Sequence, residues 1–187
     1  MGREVFRKLV DHLRRFKEEP SCRALNLFGS LGYGKSYIMA ALACLLIKNG
    51  ERVVFLPNCR ALLNIGFGNY VTLALLLCFG DSLVEQREIY CCEGDPGRLI
   101  KLCNKLSIKG VKLYFVVDQY NAFDLAADNE DYIGNEQKVR AKDWLQQIAY
   151  VHHIVKSATA NYKEPRYMAE KQKEEVVITV YGGLTEV

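Results

Sequence analysis

The sequence predicts a three-layer α/β fold with a mainly parallel sheet of five strands. Short apolar segments alternate with helical segments along the chain, which is the pattern of a parallel sheet covered by helices. Residues 111–117, VKLYFVV, are apolar at almost every position, as expected for a strand that is buried on both faces. Half of the 187 residues are hydrophobic and a quarter are charged, which is typical of a soluble globular domain.

Residues 1–20 predict an N-terminal amphipathic helix, which Pro20 ends. Side chains of one face recur there at helical spacing, at Val5, Leu9, His12, Leu13 and Phe16. The helix also carries many basic residues, namely Arg3, Arg7, Lys8, Arg14, Arg15 and Lys17. These could follow nucleic-acid phosphates, but a solvated helix face accounts for the same residues and is the preferred interpretation.

Residues 21–187 form the second predicted unit, in which strands and helices alternate. Strands are predicted at 24–28, 52–56, 111–117, 152–157 and 176–180. Helices are predicted at 36–49, in two parts over 60–79, from the turn at 94–97 through 107, and at 139–150. Residues 81–95 have mixed character, and the acidic segment 124–138 predicts an exposed loop.

Composition argues against several classes of protein. The net charge of +3 is too small to indicate nucleic acid or a membrane surface by itself. No window contains the roughly 18 uninterrupted apolar residues of a membrane span, so we expect no membrane partner. The seven cysteines include no C-x-x-C pair, which favours free thiols in a reducing compartment, cytosol or nucleus, over disulfides or a zinc site.

A phosphate-binding motif follows the first strand. The residues Gly29-Ser30-Leu31-Gly32-Tyr33-Gly34-Lys35-Ser36 match G-x-x-x-x-G-K-[ST] at every fixed position. The glycines let the backbone turn its N–H groups toward phosphate oxygens, Lys35 supplies positive charge, and the Ser36 hydroxyl is a Mg²⁺ ligand. Tyr37 completes the predicted nucleotide-binding residues. The motif predicts ATP and Mg²⁺ as ligands and leaves the choice between ATP and GTP open.

Asp118 stands where the strand at 111–117 ends. P-loop NTPases hold Mg²⁺ through a carboxylate at the end of a neighbouring strand, so Asp118 is the second predicted metal ligand. An aspartate that only makes a turn is the alternative. Gln119 comes next, where many ATPases place a glutamate that polarises the attacking water. Because glutamine cannot take up a proton but can still orient a water, the sequence predicts binding more firmly than hydrolysis.

Polar residues also follow the fourth predicted strand. Thr159 and Asn161, with Ser157 behind them, are candidates for contact with the γ-phosphate or the attacking water. The predicted catalytic residues are Lys35, Asp118, Gln119 and Asn161. Ordinary turn chemistry is an equal alternative, since Asn and Thr favour turns. Lys163 and Arg166 could stabilise charge but are more often simply solvated. His152 and His153 point to opposite faces of a strand, so a packed or capped histidine is favoured over a paired site.

Four segments resemble the P-loop NTPase domain of the crinkler and RHS-type effectors of oomycetes, chytrids and mycorrhizal fungi. They are GKSYIMAALACLLIKNGERVVFLPNCRAL, LYFVVDQYNAFD, HHIVKSATANY and VITVYGGLTEV, and the resemblance spans about residues 24–187. The more distinctive parts are Asp118-Gln119 with Asn121-Ala122, the stretch Ser157 to Asn161, and Tyr181-Gly182-Gly183.

The resemblance implies an ATPase core similar to the AAA+ and STAND groups, with an additional strand between the Walker A and Walker B strands. The strand at 52–56 separates Lys35 from Asp118 in the sequence, in agreement with that arrangement. In this family Asp118-Gln119 fits the usual pattern, and Asn161 falls near the first sensor position. The resemblance also implies a secreted effector that acts in the host nucleus, with a host nuclear protein or DNA as candidate partner.

Members of that family carry a secretion header before this domain and a nuclease-like or kinase-like region after it. Neither is evident in the sequence, and no signal peptide is recognised, so we expect a fragment of a longer effector. The favoured function is Mg²⁺-dependent ATP hydrolysis that gates or drives an attached region, in a chain that could form a homo-oligomer. A nucleotide-gated binding module with little hydrolysis is the alternative. Phosphoryl transfer to a small substrate ranks last, because no arginine-rich lid is evident.

Overall fold

The computed structural model describes residues 2–18, 24–32, 34–125, 132–159 and 176–180. The strands are β1 Ala24–Gly29, β2 Arg52–Leu56, β3 Leu113–Val117, β4 His153–Thr159 and β5 Val176–Val180. The helices are α1 Gly2–Glu18, α2 Lys35–Lys48, α3 Cys59–Ile65, α4 Phe67–Cys78, α5 Leu83–Tyr90, α6 Pro96–Ile108 and α7 Asn135–Ala149. A 3₁₀ turn, Tyr120–Phe123, follows β3.

The five strands form one parallel sheet in the order β2-β3-β4-β1-β5. This confirms the predicted fold class, including the additional strand between β1, which leads into the phosphate-binding motif, and β3, which ends before Asp118. The additional strand is β4, however, and not the strand at 52–56. That strand, β2, lies at the edge of the sheet beyond β3, because the order of strands in the sequence does not fix their order in a sheet.

Helices cover both faces of the sheet, which makes the three predicted layers. On one face α1 and α2 bury Leu9, Leu13 and Met39 against β1, β4 and β5. On the other face the larger apolar cluster joins α3, α4, α6 and α7 to residues of β2 and β3 such as Leu56 and Phe115. Burial on both sides explains why β3 is apolar throughout its length.

Two segments differ from the sequence prediction. Helix α5 forms within residues 81–95, where the sequence showed only mixed character. The helix was not predicted because Ile89 is its one buried residue, so its apolar periodicity is weak. The loop was predicted over residues 124–138, and its predicted end was wrong because α7 begins at Asn135. The polar first turn of α7 has the composition of a loop, which hid the helix start; residues 126–131 lie outside the described residues.

The apolar region 60–79 forms the predicted two-part helix, with a bend of 118° between α3 and α4. Within the part of the chain that the structure describes, no single helix is long and apolar enough to cross a membrane. Among the described helices, only α3 and α4 reach that length and composition, and they do so only when taken together as a bent pair. Many residues of both helices, Leu62 and Val71 among them, are buried in the larger apolar cluster.

Six of the cysteines lie in the described residues, and all six are free thiols. Cys59, Cys92 and Cys103 are buried, whereas Cys44 and Cys91 are exposed. Burial raises the pKa of the Cys103 thiol to about 12, so this thiol stays protonated at neutral pH. No group of three or more histidine, cysteine or acidic residues suited to a metal ion occurs among the described residues.

Candidate nucleotide-binding site

The phosphate loop, residues 29–36, connects the carboxyl end of β1 to the first turn of α2. Gly32 and Gly34 have φ angles of 84° and 73°, in the left-handed region that glycine adopts at little cost. Helix α2 begins directly after Gly34, and no side chain of the described residues caps its N-terminal N–H groups. These donors are therefore left for another partner, and a helix N-terminus of this kind favours an anion. Tyr33 lies outside the described residues.

Gly29 has a different role from the other loop glycines. It pairs with Val180 of β5, and a Cβ atom at position 29 would lie 1.9 Å from the Val180 carbonyl oxygen. Glycine is required here because two strand backbones approach closely. The first fixed position of the motif thus maintains the sheet beside the loop.

Lys35 is directed back to the start of the loop. Its Nζ donates hydrogen bonds to the carbonyl oxygens of Gly29, at 2.9 Å, and Ser30, at 2.6 Å. The side chain is only 8% exposed. Burial lowers the pKa of the Lys35 ammonium below its ordinary value, and the charge of Asp118 opposes that shift. The ammonium group is therefore held at the loop, within electrostatic reach of Asp118.

Several other residues of the loop and of the first helical turn are open to solvent. Ser30 is half-buried, whereas Leu31, Gly32, Ser36 and Tyr37 are exposed. Tyr37, at 85% exposure, presents a large aromatic ring beside the loop. An exposed ring at this point is available to pack against a planar ligand, and its role in binding the nucleotide stays a prediction.

Asp118 is buried directly beyond β3. Its backbone N–H donates to the carbonyl oxygen of Leu56 at 2.9 Å, which continues the β2–β3 pairing by one residue. The Oδ1 atom of Asp118 accepts two hydrogen bonds, one from the Gln119 N–H at 2.9 Å and one from the Ser157 hydroxyl. These two hydrogen bonds hold the carboxylate in a defined position. Only 4% of the residue is exposed.

The parallel sheet brings these residues to one edge. Gly29 at the end of β1 pairs with Thr159 at the end of β4, and Val117 at the end of β3 pairs with Lys156. The carboxyl ends of neighbouring parallel strands meet at the same edge, and ligands of α/β sheets bind there. We call Asp118, Asn121, Ser157 and Thr159 the strand-end cluster.

The donor set of this edge fits Mg²⁺ in chemical type. The exposed Ser36 hydroxyl and the Asp118 carboxylate are oxygen ligands, and Mg²⁺ is commonly held by one or two carboxylates together with substrate phosphates and water. Both hydrogen bonds to the Asp118 carboxylate end on Oδ1. Within the described part of the chain, Oδ2 is therefore left to accept from a hydrated metal ion.

Gln119 and Asn121 follow Asp118 and differ in how firmly they are held. Gln119 is exposed and has a φ angle of 58°, which is uncommon for a residue other than glycine. The Asn121 side chain is half-buried, and its Oδ1 accepts the Thr159 N–H at 3.3 Å. Asn121 therefore connects the turn after β3 to the end of β4, while the Gln119 side chain extends into solvent.

Several predicted residues cannot be placed. Asn161, Lys163 and Arg166 lie outside the described residues, as do Tyr181 and the two glycines after it. Their predicted contacts with the nucleotide stay predictions.

His152 is packed at the opposite end of β4 from Thr159. Its side chain is fully buried, its Nδ1 accepts the Leu113 N–H at 3.4 Å, and its Nε2 lies 3.1 Å from the Cys103 carbonyl oxygen. This is the packed alternative that the sequence favoured for the histidine pair.

The sequence did not reveal the contact of Ser157 with Asp118 or that of Asn121 with Thr159. Both depend on the register between β3 and β4, which brings residues 38 or 39 positions apart into contact. The available signal was the polar character of these residues immediately after apolar strands. That signal named Ser157 and Thr159 as candidates but could not give their partners.

The chain has a three-layer P-loop NTPase fold. Three features define it: the five-stranded parallel sheet in this order, the G-x-x-x-x-G-K-S loop after β1 and the acidic residue after β3. No family model matches the sequence. No curated protein matches it either. Among solved structures, AMPPCP-bound DnaA from Aquifex aeolicus is similar at 9% sequence identity and a TM-score of 0.43. That match covers 89% of this chain and 43% of the DnaA chain, so this chain spans less than half of the length of the DnaA chain.

Proposed function

We propose that the protein binds ATP together with Mg²⁺ and hydrolyses it slowly. One observation carries the proposal: the phosphate loop and the Asp118 carboxylate lie at the same edge of the sheet, on strands that flank β4. Cation, helix N-terminus and carboxylate then converge on the space where the phosphates and a metal ion belong.

Each group has a defined task in the proposed complex. The uncapped N–H groups of α2 and of the glycine turns bind phosphate oxygens. Lys35 needs to exchange a loop carbonyl for a phosphate oxygen, a favourable change because the phosphate carries full charge. Ser36 and Asp118 hold the metal side of the complex. Bound Mg²⁺ supplies neutralisation of the phosphate charge.

Hydrolysis depends on how the attacking water is oriented. Gln119 has an exposed amide that can orient a water but cannot accept its proton. Asn161 is the second proposed group for this water. We therefore propose turnover that is slow compared with that of enzymes with a glutamate at position 119.

A nucleotide-gated module with little or no turnover is the second proposed function. It is supported by Gln119, which has an exposed side chain and replaces the usual proton acceptor. In such a module the bound nucleotide stabilises one state of an attached region, and hydrolysis serves at most as a slow reset.

The wider biological role is a proposal from the crinkler and RHS-type resemblance alone. It comprises action in a host nucleus, contact with a host protein or DNA, and homo-oligomer formation. On α1, Lys8 pairs with Glu4 at 3.1 Å and Arg14 pairs with Asp11 at 3.2 Å. These pairs reduce the positive charge available to DNA phosphates, so nucleotide is the better supported ligand.

Calorimetric titration with Mg-ATP and Mg-GTP tests the proposal. We expect wild type to bind Mg-ATP and Lys35→Ala to bind it at least about tenfold more weakly, because one charge-assisted hydrogen bond is lost. Lys48→Ala is the matched control, since Lys48 is exposed at the other end of α2. This control is expected to bind like wild type.

Phosphate release from the same samples separates the two proposed functions. Slow release that Lys35→Ala abolishes supports the ATPase, and release at the level of the variant supports the gated module. If wild type binds neither nucleotide, both proposals fail and the phosphate loop is degenerate in function.

A further inference from the structure

Ser157 lies on the central strand of the sheet and contacts Asp118, the proposed metal ligand. It lies on β4, which pairs with β1 on one side and β3 on the other, and it is 1% exposed. Its hydroxyl donates to Oδ1 of Asp118, the oxygen that also accepts the Gln119 N–H. A buried hydroxyl therefore fixes one half of a carboxylate that belongs to another strand.

We propose that Ser157 is a positioning residue for the metal site: its hydroxyl holds the Asp118 carboxylate so that Oδ2 receives the hydrated Mg²⁺ of the nucleotide complex. The inference rests on the proposed nucleotide binding and adds to it the residue that orders the metal ligand.

Geometry supports a positioning role. The torsion that rotates an aspartate carboxylate has a broad energy profile, so a carboxylate with a single contact can turn. The Gln119 N–H is a local contact, because it belongs to the backbone of the residue directly after Asp118. Ser157 is held independently, by a strand that is hydrogen-bonded on both sides. It therefore supplies the fixed reference for the orientation of the carboxylate.

A purely structural role for Ser157 makes a different prediction. Buried hydroxyl groups are generally hydrogen-bonded, and Asp118 satisfies this one. If the Ser157–Asp118 hydrogen bond served only to satisfy a buried hydroxyl, removal of the hydroxyl would alter stability and leave metal affinity unchanged. If Ser157 positions Asp118, removal would weaken metal binding in the nucleotide complex even when the fold is intact.

Mn²⁺ binding to the ADP complex tests the difference without any turnover. The free Mn²⁺ signal in electron paramagnetic resonance reports its affinity for the full chain with ADP. We expect Ser157→Ala to weaken Mn²⁺ binding about tenfold, because a hydrogen bond to a charged group is lost. ADP affinity in EDTA is expected to stay within about twofold of wild type. Ser82→Ala is the matched control, since Ser82 donates to the Glu85 carboxylate far from the loop in sequence, in α5 and its N-cap.

A double-mutant cycle with Asp118→Asn shows whether Ser157 acts through Asp118. In the Asp118→Asn background, Ser157→Ala is expected to cause no further loss of Mn²⁺ affinity, because the carboxylate that it positions is absent. An equal further loss in that background would overturn the inference. So would Mn²⁺ affinity of Ser157→Ala equal to that of wild type.

Three further outcomes are distinguishable. If Ser157→Ala does not fold, Ser157→Cys decides, since a thiol of similar shape is a weak donor. Weaker Mn²⁺ binding by that variant supports the inference, and wild-type affinity overturns it. If wild type binds no ADP, the proposed nucleotide binding fails as well. If wild type binds Mn²⁺ and ADP while the variants match it, only the role of Ser157 is wrong.

Discussion

The phosphate loop and the strand-end cluster lie at the same edge of the sheet, yet they are encoded differently. The loop is contiguous, from Gly29 to Ser36, and each fixed position has a physical task that can be recognised in the sequence. The cluster is assembled from β3, β4 and the turn after β3, with contacts that join residues 38 or 39 positions apart. A contiguous motif specifies its own geometry, whereas an assembled site depends on the register of the sheet.

The two halves also differ in what constrains them. In the loop, a Cβ atom added at Gly32 or Gly34 would have no neighbour within 4 Å among the described residues, so the backbone angles are what demand glycine there. In the cluster, Asp118 and Ser157 are buried and hydrogen-bonded to each other. Substitutions should therefore act locally in the loop and through the sheet in the cluster. Gly29 is the exception, because it belongs to both the motif and the sheet.

The largest expected effect is that of Gly29→Ala on stability. A Cβ atom there would meet the Val180 carbonyl oxygen at 1.9 Å, so β1 and β5 would have to separate. We expect the free energy of unfolding to fall by about 3 kcal/mol or more, at the upper end of overpacking effects. Urea unfolding followed by circular dichroism measures the loss.

Gly34→Ala is the matched control within the same loop. An added Cβ meets no atom of the structurally described part of the chain within 4 Å, and the expected cost is that of the left-handed backbone, about 1 kcal/mol. Equal losses for the two variants would contradict the distinction between a sheet glycine and a loop glycine.

The second effect concerns turnover at Gln119. Gln119→Glu places a proton acceptor beside Asp118 at an exposed position, so the fold should tolerate it. General-base catalysis typically contributes about 10²- to 10⁴-fold, and we expect Mg-ATP turnover to rise by at least about tenfold. Phosphate release under saturating Mg-ATP gives the rate.

Gln119→Ala serves as the comparison for that experiment, because it removes the amide without adding an acceptor. A rate below that of wild type would indicate that the amide orients the attacking water. No increase with Gln119→Glu would show that position 119 does not face the γ-phosphate, and the proposed role of this residue would then be wrong.

Much of the fold could be predicted because its signals are local. The fully apolar β3, the β-branched β2 and the glycines after β1 each define an element without knowledge of its neighbours. The alternation of strands and helices then restricts the sheet to a parallel one. The same reasoning gave the phosphate loop residue by residue, and it placed Asp118 at a strand end.

The sequence could not give what depends on partners distant in the chain. Whether β2 or β4 lies between β1 and β3 depends on pairing between strands distant in the chain, which leaves no local signal. The polar first turn of α7 and the short helix α5 were missed because few of their side chains reach the core. The Ser157 hydroxyl is a further example, since its importance follows from the carboxylate opposite it.

The smallest expected effect separates the members of the strand-end cluster from each other. The Asn121 side chain accepts the Thr159 N–H at 3.3 Å, whereas among the described residues the donors to the Asp118 carboxylate are Gln119 and Ser157, so the role of Asn121 is to join the turn after β3 to β4. We expect Asn121→Ala to lower the free energy of unfolding by about 1 kcal/mol, the usual contribution of one hydrogen bond. Mn²⁺ affinity of the ADP complex should change by less than about twofold, because the metal ligand keeps both of its donors.

Asn121→Asp retains an acceptor oxygen and is expected to recover most of that stability. Asn104→Ala is the control for loss of an amide elsewhere, because Asn104 is exposed on α6. Urea unfolding and Mn²⁺ titration on the same preparations give both quantities. A fall in Mn²⁺ affinity as large as that of Ser157→Ala would mean that the cluster acts as one unit. Stability loss without a change in metal affinity would assign metal positioning to Ser157 and attachment of the turn to Asn121.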